Sequence, residues 1–233
     1  MAEQIKRSEV NRIMREADKF IRSFGYILPP FAYWTPQEFK DRKGEAKNII
    51  NANLGWDITD YGQGRFSEIG LILFTARNGR AADLASGRGM LYAEKIMISL
   101  KDQVAPMHRH VVKAEDIINR GGGRLAIELY ASAPDGSIDE KNDISVRADG
   151  IVRTVKAGGV ITLDPGESVT LMPGDWHAFR GEGDDVLIGE VSTVNDDLKD
   201  NIFRDPVGRF SDIEEDEAPE RLLVSDYDTW LKP

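Results

Sequence analysis

The chain predicts a mainly β fold, an antiparallel sandwich or barrel preceded by helices. Short β-type runs follow one another from Gly70 onward, turn signals separate them, and helical periodicity is confined to the N-terminal part. Strands this short and closely spaced argue against βαβ units.

The helical part comes first. Val10, Ile13, Met14, Ala17, Phe20, Ile21 and Phe24 recur at three- and four-residue steps, so residues 8–24 form a helix with one apolar face. Ser8 is its expected N-cap, and Gly25 stands where a glycine ends a helix. A linker with Pro29 and Pro30 follows. Thr35-Pro36-Gln37-Glu38 reads as a capping box opening a second helix to about residue 50. Strands are expected over 70–76, 92–100, 104–112, 124–131, 151–155, 160–163, 168–171, 177–179 and 186–194. Turns fall at Asn78-Gly79, Gly121-Gly122-Gly123, Pro134-Asp135-Gly136, Asp149-Gly150, Asp164-Pro165-Gly166 and Pro173-Gly174. Residues 132–150 read as an inserted loop. The acidic tail, Asp212–Glu220, reads as a solvated segment with Tyr227 and Trp230 as an aromatic anchor. The organisation expected is a helical extension over 1–60 packed on a barrel over 61–233.

Composition narrows the function classes. A formal net charge of −10 disfavours nucleic acid and anionic membranes as partners. The chain has no cysteine, which excludes disulfides, thiolate ligands and a thiol nucleophile. No apolar run approaches the roughly 20 residues needed to cross a bilayer. A soluble, cytoplasmic protein is expected.

Only three histidines occur, His108, His110 and His177. Alternate strand residues point the same way, so His108 and His110 reach one ion together. His177 follows the Pro173-Gly174 turn and comes from a later strand. Glu115 is the fourth candidate ligand. Its parity is opposite to that of the two histidines, so a turn or bulge must intervene after Val111. Nitrogen and oxygen donors without thiolate suit Mn²⁺, Fe²⁺, Co²⁺ or Ni²⁺, with Zn²⁺ a further option. Four side chains on an octahedral ion leave two positions for water or substrate.

His108-x-His110-x4-Glu115 resembles the first motif of the cupin superfamily, and Pro173-Gly174-Asp175-Trp176-His177 resembles the second. The resemblance implies a double-stranded β-helix, the small jelly-roll barrel, with the N-terminal helices outside it. More specifically, Pro106-Met107-His108-x-His110, Lys113-x-Glu115-Asp116-Ile117-Ile118-Asn119-Arg120-Gly121-Gly122-Gly123 and Gly189-Glu190-Val191-Ser192 look like the D-lyxose isomerase family, with similarity from about residue 8 to Tyr227. That family implies a Mn²⁺-dependent isomerase interconverting D-lyxose and D-xylulose, and often D-mannose and D-fructose. Its metal ligands carry over onto His108, His110, Glu115 and His177, and its active-site lysine onto Lys113. The implied partner is a monosaccharide, and a homodimer is expected because cupins often pair through sheet edges.

Aldose–ketose isomerisation moves a hydrogen between C1 and C2, by an enediol or by hydride shift. Either route gains from an open divalent ion. The enediol route also needs a proton acceptor. Lys113 shares the parity of Glu115, and a cation beside it is expected to lower its pKa. Glu190 and Glu215 are the candidate carboxylates. Lys95, Asp116, Arg120, Asn195 and Asp197 are candidate sugar-binding groups, with Trp176 and Phe179 offering an apolar face. Two other readings share the motif: an Fe²⁺-dependent cupin dioxygenase and a non-catalytic sugar-binding cupin.

Overall fold

A computed structural model describes residues 4–231. Its strands are β1 (Ile5–Lys6), β2 (Gly55–Thr59), β3 (Leu71–Asn78), β4 (Tyr92–Ser99), β5 (Val104–His110), β6 (Glu115–Ser132), β7 (Ile138–Asp139), β8 (Ile144–Ala148), β9 (Ile151–Val155), β10 (Gly159–Leu163), β11 (Ser168–Leu171), β12 (Trp176–Thr193), β13 (Asn201–Phe203) and β14 (Ile213–Glu214). Its helices are α1 (Arg7–Ser23), α2 (Pro36–Asp41), α3 (Lys43–Asn51), α4 (Ala81–Leu84) and α5 (Tyr227–Trp230).

Two long strands, β6 and β12, organise the barrel. They pair antiparallel, and their register shifts between Glu182 and Val186 and again between Leu187 and Ile188. The ladder bends there, so each half joins a different sheet. The first half of β6 and the second half of β12 join β4, β3 and β2 on one side and β11, β8 and β9 on the other. The other two halves are flanked by β10, and by β5 with β13. The result is the jelly-roll barrel. Gly121-Gly122-Gly123, expected as a turn, instead lies within β6 at this bend. Gly122 has φ +95°, and a Cβ there would overlap the Asp185 carbonyl oxygen.

Period-two patterning sorts the two faces. Leu71, Leu73, Met97, Ile117, Leu125, Ile127, Leu129, Phe179 and Ile188 point inward and form the barrel core. Ile72, Phe74, Ile96, Ile98 and Leu187 point outward, yet they are buried too. They meet Val10, Ile13, Met14, Ala17 and Ile21 of α1, which explains why β3 is apolar throughout rather than alternating. Helix α1 matches the expected 8–24 to within a residue. Its N-cap is Lys6 rather than Ser8, and Ser8 instead donates through N and Oγ to Asp216 at 2.9 and 2.7 Å. The Thr35–Glu38 capping box forms, but the helix it opens breaks at Arg42 into α2 and α3. β2 lies inside the first sixty residues and is nevertheless hydrogen-bonded into the sheet beside β3.

Two further expectations are corrected. Residues 132–150 are not a plain loop: β8 forms a hairpin with β9 through Asp149-Gly150 and also pairs with β11. The acidic tail is not free in solvent. β14 pairs in parallel with β1, and the following acids dock along α1: Glu215 and Asp226 on Arg7, Asp216 on Ser8, Glu217 on Asn11, and Glu220 on Arg15. Arg7 is fully buried by these contacts, while the aromatic end packs as expected, with Tyr227 buried against Phe39.

Arg7→Ala leaves the buried Asp226 carboxylate without its counter-ion, at 8% side-chain exposure. Denaturant unfolding is expected to show a loss of about 3–5 kcal/mol. Arg12→Ala, whose Glu16 partner is exposed, is expected to cost far less. Equal losses would mean the strap is not held by Arg7.

Candidate metal centre

His108 and His177 face each other across the β5–β12 ladder, with ring centroids 4.1 Å apart. Four residues of β5, from Ala105 to His108, stand opposite three of β12, from Phe179 to His177. This bulge lets Ala105 and His108 both face the interior. β5 ends at His110. Residues Val111 to Ala114 turn the chain, and Glu115 opens β6, which is the turn that the parity argument required. Asp200 clamps that turn by accepting from the backbone N–H groups of Val111, Val112 and Lys113 at 3.0, 2.7 and 2.9 Å. The turn carrying His177 is tied to the same strand, because the N–H of Gly174 donates to the His110 carbonyl at 2.9 Å. Gly174 has φ +95°, a conformation glycine adopts without strain.

The donor atoms converge. The ligating nitrogens of His108, His110 and His177 lie within 4.8 Å of one another. The Nε2 atoms of His110 and His177 stand 3.1 and 3.2 Å from Glu115 Oε1. None of these three atoms has a hydrogen-bond partner among the described residues, although all are buried. Nδ1 of His108 is 2.8 Å from the Pro106 carbonyl, and Nδ1 of His177 is 3.1 Å from the Asp175 carbonyl. A carbonyl only accepts, so each Nδ1 carries the proton and each Nε2 presents a lone pair. Burial, with the neighbouring His177 and His110, holds the His108 imidazole well below its ordinary pKa; burial likewise lowers His110. Neutral imidazoles beside a carboxylate are the state a divalent ion requires. Burial pushes the Glu115 carboxyl up, but the Lys113 ammonium and His110 outweigh it and hold the group well below the usual carboxylate range. Unpaired lone pairs packed this closely in a dry interior fit a cation at their common centre.

A row of alternating charges leads away from this point. Lys113 Nζ lies 2.7 Å from Glu115 and 3.0 Å from Glu190. Lys95 Nζ lies 3.5 Å from Glu190 and 3.1 Å from Asp197. Arg209 then bridges Asp197 at 2.9 Å and Asp57 at 2.7 Å. Burial alone would lower the Lys113 pKa, yet the carboxylates of Glu115, Glu190 and Asp197 raise it above the ordinary lysine value. The expectation of a lowered pKa rests on a bound cation beside the lysine, whereas these three acids act with or without one.

A D-lyxose isomerase family profile matches residues 5–227. The chain belongs to the D-lyxose isomerase family. It is 44% identical over 227 residues to a D-lyxose/D-mannose isomerase of Serratia proteamaculans, covering 96% of this chain and 98% of that one. It is 42% identical over 226 residues to a protein of the same description from Escherichia coli O157:H7, with the same coverage. The fold is similar to that of Cellulomonas parahominis L-ribose isomerase solved with L-ribose, with a TM-score of 0.60 at 16% identity over 92% of this chain and all of that one. The chain is therefore a sugar isomerase built on a cupin barrel, and the dioxygenase and non-catalytic readings are set aside.

Within this D-lyxose isomerase family barrel, the structure brings His108, His110, Lys113, Glu115, His177, Glu190, Lys95, Phe179 and Asp197 around one cavity. Four expected residues are elsewhere. Asp116 alternates with the inward-facing Glu115 and Ile117 and so faces the opposite side of β6. Trp176 alternates with His177 and packs outside with Met107 and Ala178, under the Arg109 guanidinium. Glu215 is engaged by Arg7 on the helix side, through bonds of 2.9 and 2.6 Å. Arg120 lies outside too, against Gly189, while Asn195 accepts from Lys95 at 2.8 Å. Sequence reasoning missed Tyr61, Asn201, Phe203 and Arg209, which also line the cavity, and Asp57 and Asp200 behind it. Their shared signal, a polar or aromatic residue in a loop or short strand, is too common to single them out.

His177→Ala is expected to purify without stoichiometric divalent metal, measured by mass spectrometry of the metal content. Asp116→Ala is expected to keep its metal. Metal retained in the first variant, or lost in the second, would contradict this ligand set.

Proposed function

We propose that the chain interconverts D-lyxose and D-xylulose, and D-mannose and D-fructose, with Mn²⁺ as its cation. The observation that carries the reading is the convergence of His108, His110, His177 and Glu115, with His110 Nε2, His177 Nε2 and Glu115 Oε1 buried and unpartnered among the described residues, directly beside the Lys113–Glu190 pair. D-lyxose and D-mannose are the sugars named by the family and its relatives, and D-xylulose and D-fructose are their ketose isomers. A divalent ion held by these four side chains supplies Lewis acidity toward the first two sugar oxygens.

The chain's own groups account for the hydrogen transfer. Glu190 faces inward from β12, buried at 3% exposure, and accepts the proton from C2 to give an enediol. It returns that proton to C1. Lys113, held between Glu115 and Glu190, donates to the oxygen that gains negative charge. It also relays the O2 hydroxyl proton to O1, so that the C1 carbonyl becomes a hydroxyl and the C2 hydroxyl a carbonyl. Lys95, 3.5 Å from Glu190, helps aim its carboxylate. Phe179, Leu71 and Ile117 keep water from the reacting carbons. The high Lys113 pKa suits this role, because the lysine acts as its ammonium while the carboxylate serves as base.

We also place the protein in the cytoplasm as a homodimer. The net charge of −10 and the absence of cysteine favour a reducing, soluble setting. No helix among the described residues is long and apolar enough to cross a membrane. The edge strand β9 leaves Ile151 and Val152 exposed at 65% and 63%, which suits pairing with a second copy.

Metal-stripped protein resupplied with Mn²⁺ under anaerobic conditions is expected to form ketose from D-lyxose and from D-mannose. Lys113→Ala and Glu190→Gln are each expected to lose about 10²–10⁴-fold in kcat while retaining metal. No ketose from either sugar contradicts the proposed activity, and full activity in either variant contradicts the role given to that residue.

A further inference from the structure

The cavity at the metal centre is small. It measures about 40 Å³, room for about three waters at roughly 10–15 Å³ each. A sugar does not fit there alone. A second cavity of about 230 Å³ lies beside it, and the two share the walls Leu73, Asp197 and Arg209. Asn53, Thr75, Asn78, Asn195 and Ser225 line the second cavity together with Asp57, Asp196, Asp197, Asp228 and Arg209, so hydroxyl and amide groups alternate with carboxylates there. Such a lining offers donors and acceptors to a neutral polyol, and its four acids disfavour an anion.

The charge row links the cavities. Moving from Lys113 through Glu190, Lys95, Asp197 and Arg209 to Asp57 passes from the first cavity into the second, through alternating donors and acceptors. A sugar carries an oxygen on every carbon, and each hydroxyl both donates and accepts. The row therefore offers a partner to each hydroxyl in turn. The Arg209–Asp197 contact at 2.9 Å lies where the two cavities meet. Parting it strands neither group, because Arg209 keeps Asp57 at 2.7 Å and Asp197 keeps Lys95 at 3.1 Å. That retention removes the penalty of leaving a buried charge unpaired.

We propose that the sugar spans both cavities, with the Arg209–Asp197 pair as a gate and the second cavity as the subsite for the carbons farthest from the metal centre, which sets acceptance of a hexose against a pentose. The inference rests on the sugar isomerase reading above and adds a place for the substrate's far end. Ser225 and Thr75 line only the second cavity. Ser225 is half-exposed, and Thr75 sits on the inward face of β3.

The test uses Ser225→Trp, with Thr75→Ile as a second variant should the first fail to fold. Manganese-loaded wild-type and variant proteins are titrated calorimetrically with D-arabinitol and D-mannitol, alditols of five and six carbons that lack the reactive carbonyl. Filling the cavity is expected to weaken D-mannitol at least tenfold and D-arabinitol less, with bound manganese unchanged and the KM for D-mannose rising in step. Equal weakening of both alditols, no weakening in either variant, or no binding to the wild type overturns the proposal. A wild type that discriminates the alditols as expected yet forms no ketose leaves the subsite standing and removes the activity reading instead.

Discussion

Three imidazoles and a carboxylate converge in the buried interior of a barrel, an arrangement that a cation between them would satisfy. Burial favours the neutral form of the His108 and His110 imidazoles and lowers both pKa values. The Glu115 carboxylate stays ionised because Lys113 stands 2.7 Å away. The rest of the architecture serves to hold these groups at one point. The bulge in β5 turns His108 inward, the Asp200 clamp shapes the turn before Glu115, and the Gly174 N–H fixes the loop that delivers His177.

The same constraint explains the row of charges beyond the centre. An isolated buried lysine or carboxylate is costly, so each is answered by its neighbour. The row ends at Asp57, an acid on β2 whose burial raises its pKa even with Arg209 beside it. Chemistry and solvation thus use the same groups. In the proposed mechanism Lys113 and Glu190 act at the reacting carbons, and Lys95, Asp197 and Arg209 continue the charge pattern outward. The outer layer is built differently: α1 covers an apolar sheet face, and the acidic C-terminal strap fastens that helix through the fully buried Arg7.

Much of this was legible in the sequence, for local reasons. His108 and His110 share a strand face by period two, and the odd parity of Glu115 demanded the turn that residues 111–114 supply. The apolar spacing of Val10 to Ile21 marked α1, and Thr35 with Glu38 marked the start of α2. Parity went unused for Asp116 and Trp176. Each neighbours a metal ligand in sequence, and for that reason each points to the opposite face. Long-range pairing was not legible. Nothing in the string Glu214-Glu215-Asp216-Glu217 tells that these acids answer Arg7, Ser8 and Asn11 some two hundred residues away. Arg209 and Asp57 likewise become neighbours only through the closed fold, and β8 was hidden because its residues fall between turn-forming segments.

The most direct measurement is anomalous diffraction at the manganese edge from crystals of metal-stripped protein resupplied with Mn²⁺. One peak is expected inside the barrel, bonded to Nε2 of His108, His110 and His177 and to a Glu115 oxygen. A barrel without a peak at saturating manganese, or a peak that leaves any of these imidazoles uncoordinated, would contradict the account.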